Sequence, residues 1–168
     1  DPGLGEAYAL RSRLTDDATV AERDLRRGLE LNPSYARGYE LLAGLQAGGV
    51  ERIELALSSI DRAIALDPLS PVNFHTKAGF MMMQGKYPEA IALNHRAIEL
   101  NPKFRAALGQ LGFMNAVEGN FADAIGYTEQ AVALDPRAVP RRDLLIQQYL
   151  AVGDIDSAHA VNTPATVM

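Results

Sequence analysis

Three histidines, His75, His95 and His159, are the side chains best suited to acid–base or metal chemistry near neutral pH. Only His95 has a companion at a useful spacing. Glu99 follows it by four residues, which on a helix places both on one face as a metal pair would be. No third ligand stands at a supporting distance, so the spacing favours a surface ion pair or hydrogen bond. Asp154-Ile155-Asp156 opens like a calcium loop, but the downstream oxygens such a loop needs are missing. Asp154 reads instead as a helix cap. There is no Gly-x-x-x-x-Gly-Lys phosphate loop. There is no cysteine, which excludes disulfides and thiolate ligands. The chemistry-bearing residues therefore predict a chain that is not an enzyme and holds no cofactor and no metal.

Met81-Met82-Met83 could form an adaptable binding surface or fill a core. Arg23, Arg26 and Arg27, and again Arg137, Arg141 and Arg142, are local basic clusters that read as solvated helix faces. The sharper alternative, an acidic or nucleic-acid partner, is opposed by the overall balance. Sixteen Lys and Arg against 21 Asp and Glu give a net charge of −5, and a nucleic-acid partner is not expected. At 48% hydrophobic and 22% charged, the 168 residues are globular in composition. No apolar run approaches the roughly 18–20 residues of a membrane span. Gly79-Phe80-Met81-Met82-Met83 stops at Gln84-Gly85-Lys86, so no membrane insertion is expected. No signal peptide is visible, and a cytoplasmic placement is expected. A chain that opens on Asp1 reads as a fragment or a processed product.

These residues sit on a repeat. Leu-Asx-Pro recurs as Leu31-Asn32-Pro33, Leu66-Asp67-Pro68, Leu100-Asn101-Pro102 and Leu134-Asp135-Pro136, with proline spacings of 35, 34 and 34. Gly85, Gly119 and Gly153 keep the same step, as do Ala90, Ala124 and Ala158, and Tyr87, Phe121 and Ile155. Several independent columns on one period predict stacked helix pairs. The glycines should end each first helix in a left-handed turn. Lys86-Tyr87-Pro88-Glu89 and Asn120-Phe121-Ala122-Asp123 should open the second helices, with Pro88 in a first turn that has amides to spare. The small residues Ala78, Ala90 and Ala97, matched by Gly112, Ala124 and Ala131, should let paired helices approach closely. Each Leu-Asx-Pro should stop a second helix.

Phe74, Ala78, Met81, Ala90, Ala97 and Pro102 lie in one unit. Leu108, Leu111-Gly112, Ala124, Ala131 and Pro136 fill the same places in the next, and Tyr39, Leu42-Ala43, Ala56, Ala63 and Pro68 in the one before. The pattern resembles the tetratricopeptide repeat. The resemblance implies an all-α chain, an α-α superhelix of antiparallel helix pairs with about nine to ten helices. Asn94 and Thr128 stand where the pattern prefers an aromatic, and those positions are expected to be loose. The expected organisation is a single array over 1–161. Its units are about 5–35, 36–70, 71–104 and 105–138, with a partial unit over 139–161 and an irregular tail over 162–168. In the shorter first unit, Thr15-Asp16-Asp17 should make the turn and Ala21, Leu25 and Gly28 should carry the second helix. Gly48-Gly49 should host the extra residue of the 35-residue step. Pro140 should lie in the first turn of the last unit, which is expected to be distorted by Ile146 in a small-residue column. Asn162-Thr163-Pro164 should cut its second helix short.

In the family the first helix of each unit lines a concave groove that takes an extended peptide or a partner helix. Carried over by column, the groove would present Arg37, Glu40, Leu41 and Gly44, then Val72, His75, Thr76, Gly79 and Met82. It would continue with Ala106, Gly109, Gln110 and Phe113, and end with Asp143, Leu144 and Gln147. Glu6, Leu10 and Arg13 would extend it at the first unit. By the same columns Met81 should face a neighbouring helix, with Met82 and Met83 toward the groove. Members that clasp the C-terminal carboxylates of heat-shock chaperones use Lys, Asn and Arg where this chain has Glu40, His75, Thr76 and Gly109, so that clamp is not expected. Gly44, Gly79 and Gly109 should leave room for close approach. The implied partner is a protein or peptide, apolar or helical. The alternatives are a regulatory tail acting by self-association, including a homodimer through uncapped terminal repeats, and a small-molecule or nucleic-acid-binding sensory module. The phrase Leu66-Asp67-Pro68-Leu69-Ser70-Pro71 is similar to repeats of bacterial multidomain proteins that carry a winged-helix regulator or a nucleotide-cyclase domain.

Overall fold

Among the described residues the punctuation of the sequence becomes ten helices. In a computed structural model, which describes residues 2–48 and 52–162, these are α1 (Pro2–Ser12), α2 (Ala18–Leu31), α3 (Ala36–Gln46), α4 (Ile53–Leu66), α5 (Pro71–Met83), α6 (Tyr87–Leu100), α7 (Arg105–Val117), α8 (Phe121–Leu134), α9 (Val139–Ala151) and α10 (Ile155–Asn162). Among the described residues there is no strand. The expectations for Gly49 and for residues 163–168 lie outside the described residues. Asn162, assigned above to the irregular tail, is the last residue of α10.

Two kinds of turn recur between the described helices. The left-handed turns fall where the glycine column puts them, with φ of +73° at Gly85, +80° at Gly119 and +79° at Gly153. Each is closed by a backbone amide reaching five residues back: Lys86 to the carbonyl of Met81, Asn120 to Asn115 and Asp154 to Tyr149. That is a Schellman closure, and only glycine adopts its φ without steric cost.

The Leu-Asx-Pro turns hold a device that the proline alone did not reveal. α2, α4, α6 and α8 each end on the leucine. The Asx side chain then accepts the amide two residues on: Asn32 from Ser34 (3.3 Å), Asp67 from Leu69 (3.3 Å), Asn101 from Lys103 (3.1 Å) and Asp135 from Arg137 (3.3 Å). Asx residues favour this local bond over continuing the helix, and proline cannot continue it either. In the first unit Asp17 caps α2 by accepting the amides of Thr19 and Val20.

The chain divides into two compact units between Leu93 and Asn94, inside α6. In the first, α1 packs on α2, α3 on α4, α2 on α3 and α4 on α5. One core cluster joins Ala9, Leu25, Leu29 and Leu42, and another joins Ala43, Ile53, Ala56, Leu57, Ile60, Ala63 and Phe80. In the second unit, α7 packs on α8, α8 on α9 and α9 on α10. The alanine column is shut throughout: Ala56, Ala90 and Ala124 are fully buried, and Ala21 and Ala158 nearly so. Fully burying a methyl group on every period is what lets consecutive helices pack at short range. Ile146 does not disrupt the last pair. It is half-buried within a continuous α9, and α9 and α10 pack against each other.

Asn94 and Thr128, expected to be loose, are the opposite. Both are fully buried. Asn94 donates to Gln110 Oε1 at 2.7 Å, and the Thr128 hydroxyl donates to the Ala124 carbonyl at 2.9 Å. Each polar group is hydrogen-bonded within its own surroundings, so burial carries no unsatisfied donor. Gly112 makes the space: a Cβ there would overlap Thr128 Oγ1 and lie 3.2 Å from the Ala124 carbonyl. Gln148, also buried, donates to the Gly112 carbonyl at 2.9 Å.

Candidate functional site

The residues expected to face a partner lie on the odd-numbered helices. In the first unit, Glu6 and Leu10 on α1 and Arg13 just beyond it are exposed. On α3, Arg37 and Glu40 are an ion pair one helical turn apart. Arg37 is half-exposed, whereas the Glu40 side chain is only 14% accessible. Burial pushes the Glu40 carboxyl above the usual carboxylate range, against the opposing pull of Arg37. Leu41 is half-buried against the core cluster that contains Leu42. Gly44 is open, with nothing within 4 Å of where a Cβ would stand. On α5, Val72, His75, Thr76, Gly79 and Met82 are half-buried, Met81 packs against the core, and Met83 is 50% exposed.

In the second unit α7 carries Ala106, Gly109, Gln110 and Phe113. Gln110 is half-buried with its amide oxygen engaged by Asn94. Phe113 is 43% exposed, on a helix whose Leu108, Leu111, Gly112 and Met114 are buried. Gly109 does not leave the room expected of it, because the Arg141 side chain lies over it, with Nε 2.7 Å from where a Cβ would stand. Arg141 and Arg142 are correspondingly not the solvated face they resembled. Both are half-buried, and Arg142 donates to the Val161 carbonyl at the end of α10. Long-range docking of arginine stems over glycine leaves no periodic signal in a sequence. On α9, Asp143 and Gln147 are exposed and Leu144 is half-buried.

The other chemistry-bearing groups resolve into packing and capping. His95 meets Tyr127 edge-on with ring centroids 5.7 Å apart, while Glu99 pairs with Arg96 at 2.8 Å. Asp154 caps α10 by accepting the Ser157 amide at 3.0 Å, and hydrogen bonding to Ser157 holds its carboxyl below the usual range. Among the described residues no three His, Asp or Glu side chains are grouped to hold a metal ion. No helix there is long and apolar enough to cross a membrane.

No protein-family model matches the chain. The chain is 31% identical over 81 residues to the small glutamine-rich tetratricopeptide repeat-containing protein 2 of Mycosarcoma maydis, a match covering 48% of this chain and 23% of that one. Across the curated relatives it matches, the chain spans only 9–26% of their length. Among solved structures, that of PilW, a widely conserved type IV pilus biogenesis factor, superimposes with a TM-score of 0.82 at 20% identity, covering 96% of this chain and 76% of that one. A thermophilic TPR protein of Thermus thermophilus gives 0.73 at 20% identity, with 96% and 88% covered. The 34-residue columns, the left-handed glycine turns, the buried alanine column and these likenesses agree on one architecture: the chain has the tetratricopeptide-repeat fold.

Proposed function

We propose that this chain is a protein–protein interaction scaffold whose odd-numbered helices bind an apolar or helical peptide. The observation that carries the reading is Phe113. A large aromatic left 43% exposed on the face predicted to meet a partner is an anchor of the kind that dominates interface energies. Open backbone at Gly44 and half-buried apolar side chains at Leu41 and Met82 support the same character for the α3 and α5 faces. The test is to select peptides from a displayed library on the whole chain and measure the best of them against Phe113→Ala by calorimetry. Affinity should fall by about tenfold or more. Unchanged affinity rejects the face.

A second reading, self-association, is favoured by exposed apolar residues at the two ends: Leu4, Leu10 and Leu14 at α1, and Leu150, Val152 and Ile155 at α9 and α10. Sedimentation separates the two, because a mass that stays monomeric as concentration rises excludes self-association.

A further inference from the structure

The arginines of α2 are more than a solvated stripe. Arg23, Arg26 and Arg27 line a surface cleft of about 770 Å³ in the first unit, together with Arg11 and Tyr8 from α1 and Arg52 from the start of α4. The cleft is not a neutral lattice of ion pairs. Its five arginines face three carboxylates, Glu22, Asp24 and Glu30, which leaves +2, while the remaining 11 basic and 18 acidic residues of the chain carry −7. A sizeable positive concavity thus sits on an otherwise acidic molecule.

The carboxylates also hold the guanidinium groups in place without using up their donors. Asp24 takes Arg11 in a two-pronged bond, 2.6 Å to each oxygen, and has Arg23 at 3.8 Å. Glu22 is shared by Arg26 and Arg52. The Arg11 guanidinium also lies 4.7 Å from the centroid of the Tyr8 ring. A guanidinium has five N–H donors, and one shared carboxylate oxygen satisfies one or two of them. The arginines stay 43–71% exposed. Their forks are therefore pre-positioned, with unspent donors turned to solvent.

We infer that this cleft is a second docking site, distinct from the odd-helix faces, for a short acidic peptide segment rich in Asp and Glu. The groups already seated among the arginines are carboxylates, and one of them, Asp24, takes Arg11 fork to fork, which is the chemistry a further carboxylate would match. The size matches as well. The 14 residues of α2 span about 21 Å, the reach of roughly six to seven extended residues. Charge selects a short segment over a long polyanion. A nucleic-acid strand would run out of the cleft onto the acidic remainder of the surface and be repelled there.

The test is fluorescence anisotropy of a fluorescein-labelled oligoglutamate of about eight residues against the whole chain. The double variant Arg23→Gln/Arg27→Gln removes two cleft cations, and Lys103→Gln/Arg137→Gln removes two from exposed turns elsewhere. Circular dichroism checks that both variants keep their helix content. The cleft variant should lose about tenfold or more in affinity, and the control should stay within about twofold of the parent. Equal losses in both variants, no binding by the parent, or displacement by an RNA oligonucleotide at concentrations where free oligoglutamate does not compete would each overturn the assignment.

Discussion

The two units treat one structural position in opposite ways. In the first, the column that packs the second helix of each repeat is apolar: Leu25 and Ile60 lie in the two core clusters, almost fully buried. In the second the same column is polar, yet Asn94 and Thr128 are buried just as completely. The first unit closes the position by volume. The second closes it by hydrogen bonds, to Gln110 and to the Ala124 carbonyl, with Gly112 giving up its side chain to make space. Depth of burial is therefore a poor guide to what holds a position. A buried leucine contributes in proportion to the area removed from water, whereas a buried asparagine contributes only if its partner stays in place.

Substitution at the column should expose the difference most strongly. Ile60→Ala deletes three heavy atoms from the centre of a core cluster and should cost about 2–5 kcal/mol. Thr128→Val removes the hydroxyl, whose acceptor still has its helical partner, while keeping the packed volume, and should cost about 1 kcal/mol. Denaturant melts followed by circular dichroism measure both. Equal losses would mean that the hydroxyl, not the packed volume, carries the second unit. A finer break comes at Gly112→Ala, which forces a methyl onto Thr128 Oγ1 and should cost about 1–3 kcal/mol. Adding Thr128→Ala should recover part of that loss, so the double-mutant cycle should not be additive. An additive cycle would show that the strain lies in the Ala124 backbone instead.

The smallest effect is pH dependence, and it should be larger in the first unit, because the depressed carboxyl of the second, Asp154, is an exposed helix cap. Among the described residues, the buried polar groups of the second unit are Asn94, Asn115, Thr128 and Gln148, none of which titrates. The first unit buries Asp24, whose hydrogen bond from Arg11 holds its carboxyl below the usual range. A carboxyl depressed in the folded state contributes stability above its unfolded value, about 3.9. That contribution is lost as pH falls through the lower folded value. Hydrogen exchange between neutral and strongly acidic pH should therefore show the first unit losing protection that Asp24→Asn does not have to lose. Equal acid loss in the Asn variant would assign the sensitivity to other carboxylates.

The repeat period made the helices, their glycine turns and their alanine column legible, because each depends on a local backbone need or a small volume that recurs every period. Asn94 and Thr128 misled because departure from a pattern looks like weakness when the compensating partner lies elsewhere. Gln110 is sixteen residues from Asn94, and Gln148 reaches the Gly112 carbonyl across thirty-six. The candidate faces were placed by column, and most of their residues do have accessible surface. What sequence could not show is occupancy: Arg141 over Gly109, or the arginines Arg11 and Arg52 drawn to the acids of α2. Such contacts join residues on different helices with no fixed spacing.

The glycine column has a consequence for heredity. Gly85, Gly119 and Gly153 stand one period apart, and so do the alanines that follow them. An unequal crossover that adds or removes one whole period keeps every left-handed turn and every buried methyl in phase. One that adds another length shifts the columns out of phase unless a turn absorbs the difference, as the 35-residue step between Pro33 and Pro68 does. Copy number of the unit can thus drift by recombination while the fold acts as the proofreader, leaving partner-facing residues free to diverge between copies.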